Sequence, residues 1–152
     1  MAELRLTSSP PPDERRRALR DALGALIPGW RPLAENVLGA DARIDWVGRD
    51  GEGRCVIALV GRAGDDLALI ASGLAQREWV SDRLADWAQL APEAGFRPAA
   101  GVAVVLLAPQ FRPAAIAAQR PIGLEHPQSR AARALGDVAR MLWSDAQKMT
   151  LG

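Results

Sequence analysis

Apolar residues follow two different spacings along this chain, and the spacings predict which segments are helices and which are strands. Between residues 14 and 26 they recur every three to four positions, which predicts a helix that Asp13 can cap. Two later runs, residues 54–60 and 100–107, are apolar almost throughout. Such runs are typical of strands that are covered on both faces, as in a sheet that lies between helices.

The Asp50-Gly51 pair is the clearest local signal, because it favours a tight hairpin turn. It joins an alternating segment at residues 42–47, predicted as a strand, to the apolar run at 54–60. The alternation puts Ile44 and Trp46 on one face of the first strand. The other face carries Arg43, Asp45 and Val47.

The segments around these strands are predicted from helical spacing and cap residues. A short helical piece at 32–38 precedes the hairpin, and a long helix runs to about residue 90, capped by Asp65 or Asp66. Beyond the strand at 100–107 we expect a short helix at 114–119, an edge strand at 122–124 and a last helix at 129–147. The order predicts an α/β domain whose mixed central sheet of three to four or more strands is flanked by helices.

The chain divides into a short arm and one domain. Residues 1–12 are polar and end in three consecutive prolines, which predicts a flexible, extended arm. Residues 13–152 are numerous enough to form a single domain with its own core.

Composition narrows the function classes. The formal net charge of +1 gives no global attraction to nucleic acid, so such binding would need a local patch. Cys55 is the single cysteine, which excludes an internal disulfide and favours a small buried side chain. The longest apolar stretch is too short to span a bilayer and no signal peptide pattern is visible, so a cytoplasmic protein is expected.

The hairpin and the loop after it carry a recognisable pattern. Ile44-Asp45-Trp46 precedes a Gly-containing turn, and the apolar second strand leads into Gly-Arg-Ala-Gly-Asp-Asp at residues 61–66. This pattern resembles the PD-(D/E)XK nuclease superfamily, which has the restriction-endonuclease-like fold. In that superfamily an Asp on the first strand and a Glu-x-Lys on the second hold a metal ion and activate water. Asp45 stands at the Asp position, whereas the Glu-x-Lys positions read Ala58-Leu59-Val60.

The resemblance therefore implies the nuclease fold without most of its catalytic residues. The leading hypothesis is a catalytically degenerate member that acts as a binding or structural module and needs no metal or other cofactor. Asp45 would then be a remnant that pairs with Arg43 or another arginine.

Two alternatives stay open. The chain could be a Mg²⁺-dependent nuclease whose missing ligands are supplied from elsewhere, because Mg²⁺ prefers hard oxygen ligands. The candidate ligands for that case are Glu35, Asp45, Glu52 and Asp65 or Asp66. The other alternative is an unrelated α/β interaction protein.

Two partners are expected, and a membrane is not among them. A basic cluster in the first helix, with one loop arginine, predicts weak and salt-dependent nucleic-acid binding. Its members are Arg15, Arg16, Arg17, Arg20 and Arg62. Apolar residues on the long helix and the last helix predict a two-fold homodimer. They are Trp79, Val80, Leu84, Trp87, Leu142 and Trp143.

Overall fold

The computed structural model describes residues 12–115 and residue 117. The helices in this range are α1 (Pro12–Leu26), α2 (Asp66–Ser81) and α3 (Leu84–Leu90), with two short 3-10 turns at Pro92–Ala94 and Pro98–Ala100. The strands are β1 (Arg31–Leu38), β2 (Arg43–Arg49), β3 (Cys55–Val60) and β4 (Val102–Leu107).

The four strands form one mixed sheet in the order β1-β2-β3-β4. Strand β2 pairs antiparallel with both β1 and β3, and β4 pairs parallel with β3. The three strands predicted from the sequence are thus neighbours, and the predicted α/β fold with a mixed sheet between helices is confirmed.

Helices cover both faces of the sheet, which explains why β3 is apolar at every position. Helix α1 packs on one face, where Leu23 is fully buried against Trp46 and Val56. Helices α2 and α3 pack on the opposite face, where they bury Ile57 of β3. Alternate residues of one strand therefore belong to two separate cores.

The prediction of a helical piece at 32–38 is wrong, because this segment is strand β1. It is an edge strand within the described residues, and most of its side chains are exposed. Pairing with β2 supplies its backbone hydrogen bonds, with a register shift between Pro32 and Ala34. A strand with so little buried surface carries no alternating pattern that the sequence could reveal.

The predicted long helix is two helices. Helix α2 ends at Ser81, and α3 begins at Leu84. The break turns Leu84 into the core, where its side chain is only 3% exposed. No Gly or Pro marks this point in the sequence, so helical spacing alone extended the prediction through it.

The prediction that Ile44 and Trp46 share one face of the first hairpin strand is also wrong. Ile44 packs with the α2 core, whereas Trp46, two residues later, packs with the α1 core. Residues two apart on a regular strand share a face, so β2 turns over at Asp45. Asn36 lies across from this point in β1 and has a positive φ of 53°.

Several predictions lie outside the described residues. They concern most of the arm at 1–12, the edge strand at 122–124 and the last helix at 129–147, with Leu142 and Trp143. Residues 113–115 are helical, close to the predicted start of the helix at 114–119. None of the helices in the described part has the length and apolar character to cross a membrane.

Candidate functional site

Asp45 lies where strands β2 and β3 separate. The last pair of their ladder on this side is Trp46 with Ala58. Beyond it, the Asp45 carboxylate continues the pairing, because Oδ2 accepts a hydrogen bond from the Val60 backbone N–H at 2.8 Å. One oxygen of the carboxylate is thus occupied by the neighbouring strand.

Arg16 of helix α1 occupies the other oxygen. Its Nη1 donates to Asp45 Oδ1 at 3.0 Å, and its Nη2 donates to the Asp45 carbonyl oxygen at 2.9 Å. The guanidinium also stacks on the ring of Trp46, with Cζ 4.4 Å from the ring centroid. These contacts fix the arginine from two sides.

Strand β1 closes the site with Glu35 and Asn36. Glu35 Oε2 lies 3.7 Å from Arg16 Nε, and Glu35 Oε1 lies 3.4 Å from Arg20 Nη1. Asn36 Oδ1 accepts from Arg16 Nη2 at 3.2 Å. We call Arg16, Arg20, Glu35, Asn36 and Asp45 the Arg16 cluster. It contains two positive and two negative charges, so its formal charge is zero.

The positions that the sequence pattern aligned with Glu-x-Lys are apolar and packed against α1. Ala58 is fully buried, and Val60 is half-buried in the same core. Neither side chain offers an oxygen or an amine. Across the described residues, no group of three His, Cys, Asp or Glu side chains comes together to hold a metal ion. The residues present therefore do not fit the metal ion that the superfamily resemblance implies.

Among the candidate relocated ligands, Glu35 shares a partner with Asp45, because both carboxylates pair with Arg16. Glu52 lies in the β2–β3 turn, at the opposite end of the hairpin from Asp45. There its backbone N–H donates to Asp50 Oδ1 and its carbonyl oxygen accepts from Arg97. Glu52 is thus not part of the Arg16 cluster.

The two acidic residues at the start of α2 differ in their surroundings. Asp65 is the N-cap residue but makes no side-chain cap hydrogen bond. Asp66 is buried, and its carboxylate accepts from the Arg112 guanidinium and the Arg112 backbone N–H. The Arg112 hydrogen bonds hold the pKa of Asp66 well below its usual value. Asp66 therefore ties the start of α2 to the segment after β4.

The five arginines predicted to bind nucleic acid do not form one patch of free charge. Arg16 and Arg20 bond to carboxylates in the Arg16 cluster. The exposed side chains of Arg17 and Arg62 have no hydrogen bond or ion pair within the described part of the chain. The side chain of Arg15 is outside the described residues.

Asp45 pairs with an arginine, as expected from the sequence, but the sequence did not identify which one. Arg43, the partner named from the sequence, donates to the Asn36 carbonyl oxygen at 3.4 Å instead. Arg16 is 29 positions away from Asp45 and had been assigned only to the basic cluster. Its spacing in α1 carries no signal for this pairing, because the contact depends on how α1 lies on the sheet.

Two other side chains have structural roles. Cys55 is fully buried, as predicted, and burial raises the pKa of its thiol to about 12. Gln76 of α2 is also fully buried, and it bonds to the backbone of Ala40 and Ala42 in the β1–β2 turn. Neither residue contacts the Arg16 cluster.

The apolar stripe that predicted a dimer is mostly used inside one chain. Val80 and Leu84 are buried, and Trp79 and Trp87 pack against the same core. Trp87 also contacts Trp79 edge to face, with ring centroids 6.0 Å apart. The homodimer stays an untested prediction. Fewer apolar side chains of these helices are exposed for an interface than the sequence predicted.

Comparison with known proteins gives one structural neighbour. No family model matches this chain, and no curated protein matches it. Among solved structures, the chain is similar to a repair endonuclease from Pyrococcus abyssi, with a TM-score of 0.53 and 17% sequence identity. The fold of this chain is nuclease-like.

The match covers 76% of this chain and 45% of the neighbour, so the chain spans less than half the length of that protein. At this identity the similarity concerns the fold alone. The α/β core predicted from the sequence is therefore confirmed at the level of the fold.

Proposed function

We propose that this chain is a non-catalytic, nuclease-like domain that acts as a binding module. The observation that carries the proposal is the engagement of Asp45: one carboxylate oxygen bonds Arg16 and the other bonds the Val60 backbone. Ala58 and Val60 stand where the nuclease pattern has Glu and Lys. Both Asp45 oxygens, which would bind a metal ion in an active nuclease, are thus bonded to groups of the protein.

The chemistry of phosphodiester cleavage supports this proposal. Metal-assisted hydrolysis needs oxygen ligands for the ion and a group that positions the attacking water. In the Arg16 cluster the two carboxylates face guanidinium groups, and the adjoining positions of β3 are aliphatic. Among the described residues, no third His, Cys, Asp or Glu side chain joins Asp45 and Glu35 to complete a metal site.

We expect no cleavage of single-stranded DNA, double-stranded DNA or RNA with Mg²⁺ or Mn²⁺. Each substrate, labelled at one end, is incubated with the purified chain and separated on a denaturing gel. The Asp45→Ala variant is the control for contaminating nucleases. Cleavage that disappears in Asp45→Ala would overturn the non-catalytic proposal.

Such cleavage would favour the alternative of a nuclease with relocated ligands. The structure supports Glu35 for that role, because Glu35 and Asp45 share Arg16. The alternative then requires that Glu35→Gln abolish cleavage and that Glu52→Gln leave it unchanged, since Glu52 lies at the far end of the hairpin.

Nucleic acid is the partner class that we propose for the module, bound weakly and through phosphate contacts. Of the five arginines predicted from the sequence, Arg17 and Arg62 are exposed and have no described partner, so they are the strongest candidates. Arg20 is a weaker one, because Glu35 lies 3.4 Å from its guanidinium. A phosphate would have to displace that carboxylate.

We expect the logarithm of the binding constant for duplex DNA to fall linearly with the logarithm of the salt concentration. Each arginine that contacts a phosphate contributes about 0.9 to the slope. Arg17→Ala and Arg62→Ala should each lower the slope by about that amount, and Arg20→Ala should lower it less. Fluorescence anisotropy over a salt series measures these slopes. Tight binding that ignores salt, or no binding at low salt, would contradict this proposal.

The homodimer and the cytoplasmic location stay proposals. On α3, the largest exposed apolar side chain is Leu90, which is 83% exposed at the end of the helix. One such side chain gives an interface little area, because a stable dimer buries about 800 Å² on each partner.

A further inference from the structure

We infer that Arg16 is a built-in cation that takes the place of a metal ion between Asp45 and Glu35 and closes this site to divalent cations. The inference rests on the proposed function and deepens it. The domain would then exclude metal actively, through a positive side chain held in the site, and not only through the loss of Glu and Lys.

The contacts of Arg16 set it apart from an ordinary surface arginine. It bonds or pairs with groups from two strands: Asp45 on β2, and Glu35 and Asn36 on β1. Its other face stacks on Trp46, which is fully buried. The guanidinium thus reaches both carboxylates from one fixed position, as a bound cation would.

Arg20 provides the internal comparison. It lies one turn further along α1 and pairs with the same Glu35, but through a single contact at 3.4 Å. Its side chain is 45% exposed, against 30% for Arg16. Arg20 therefore behaves as a surface ion pair, whereas Arg16 is part of the packed structure.

The two carboxylates would remain in place without Arg16. Asp45 would still accept from the Val60 N–H, and Glu35 would still pair with Arg20. Loss of the guanidinium would leave two hard oxygen ligands, which suit a divalent cation, around an open space. It would also remove the unit positive charge that lies between the two carboxylates. Its repulsion alone lowers the affinity for a divalent cation by more than about tenfold.

The test measures Mn²⁺ binding by the loss of the electron paramagnetic resonance signal of free Mn²⁺. We expect the wild-type protein and Asp45→Asn to bind Mn²⁺ equally weakly. We expect Arg16→Ala to bind Mn²⁺ at least about tenfold more tightly than the wild type, and the added Asp45→Asn substitution to remove this gain. Arg20→Ala is the matched control, which removes a neighbouring arginine and should show a smaller gain.

Thermal unfolding with and without Mn²⁺ gives a second measurement. Mn²⁺ should raise the melting temperature of Arg16→Ala, but not that of the wild type or of Arg16→Ala/Asp45→Asn. If Arg16→Ala does not fold, Arg16→Gln removes the charge with less loss of volume.

Two results would overturn the inference: wild-type Mn²⁺ binding that depends on Asp45, or Arg16 variants that gain no Asp45-dependent binding. The second result would leave the proposed function intact, because that proposal is tested by cleavage assays and salt-dependent binding of the wild-type chain and not by Mn²⁺ binding of Arg16 variants.

Discussion

Replacing Trp46 with alanine is expected to lower the free energy of unfolding by about 3–5 kcal/mol. Trp46 is the largest fully buried side chain, and it lies in the core between α1 and the sheet. Its loss would leave a cavity beside Leu23 and remove the surface on which the Arg16 guanidinium stacks. Urea denaturation followed by far-ultraviolet circular dichroism measures the change.

Two control variants sharpen this prediction. Trp46→Phe keeps an aromatic ring at the site and should be clearly less destabilising than Trp46→Ala. Trp79→Ala removes a partly buried tryptophan from the other face of the sheet, so it should leave the Arg16 cluster intact. A loss below about 1 kcal/mol in Trp46→Ala would contradict the packing of α1 described above.

Replacing Gln76 with leucine is expected to lower the free energy of unfolding by about 2–3 kcal/mol. The Gln76 amide is fully buried and makes three hydrogen bonds to the β1–β2 turn: Ala40 N–H donates to its oxygen, and its nitrogen donates to the Ala40 and Ala42 carbonyls. Leucine leaves the Ala40 N–H and carbonyl without the amide, whereas the Ala42 carbonyl still accepts from the Gly39 N–H. A local measurement is amide hydrogen exchange at Ala40, which should become faster.

The matched control for this substitution is Gln89→Leu, because Gln89 is an exposed glutamine on α3. It should change stability by less than about 0.5 kcal/mol. Equal losses in the two variants would contradict the role of Gln76. Gly39 supports that role, since a Cβ at this position would overlap with Gln76 Oε1, so the amide fills the space beside the turn.

The Arg16 cluster connects the fold to the proposed function. The sheet opens where β2 and β3 separate, next to Asp45. Here the same opening is occupied by an arginine from the first helix and by the backbone of β3. The outcome is a neutral, internally bonded cluster, which is consistent with a domain that binds rather than cleaves.

The neutral cluster also affects the expected binding surface. Arg16 and Arg20 count as basic residues in the sequence, but Glu35 and Asp45 compensate both charges. The field available to attract phosphate comes from other exposed arginines, such as Arg17 and Arg62. For this reason Arg17→Ala is expected to lower the salt slope of DNA binding more than Arg20→Ala, although both residues lie on the same helix.

The sequence by itself determined the α/β architecture and the absence of Glu-x-Lys. Strands β3 and β4 could be predicted because a strand covered on both faces is apolar at nearly every position. The tight turn at Asp50-Gly51 fixed how β2 and β3 are joined. These signals are local, so neighbouring residues were enough to read them.

Only the tertiary structure decided strand β1, the break before Leu84 and the partner of Asp45. Strand β1 is mostly exposed, so burial left no pattern in it, and its pairing with β2 makes it a strand. The break between α2 and α3 depends on how Leu84 fits the core. The Arg16–Asp45 pair joins residues 29 positions apart, and it forms because α1 lies across the point where β2 turns over. Such contacts depend on the packing of whole elements, which no local spacing encodes.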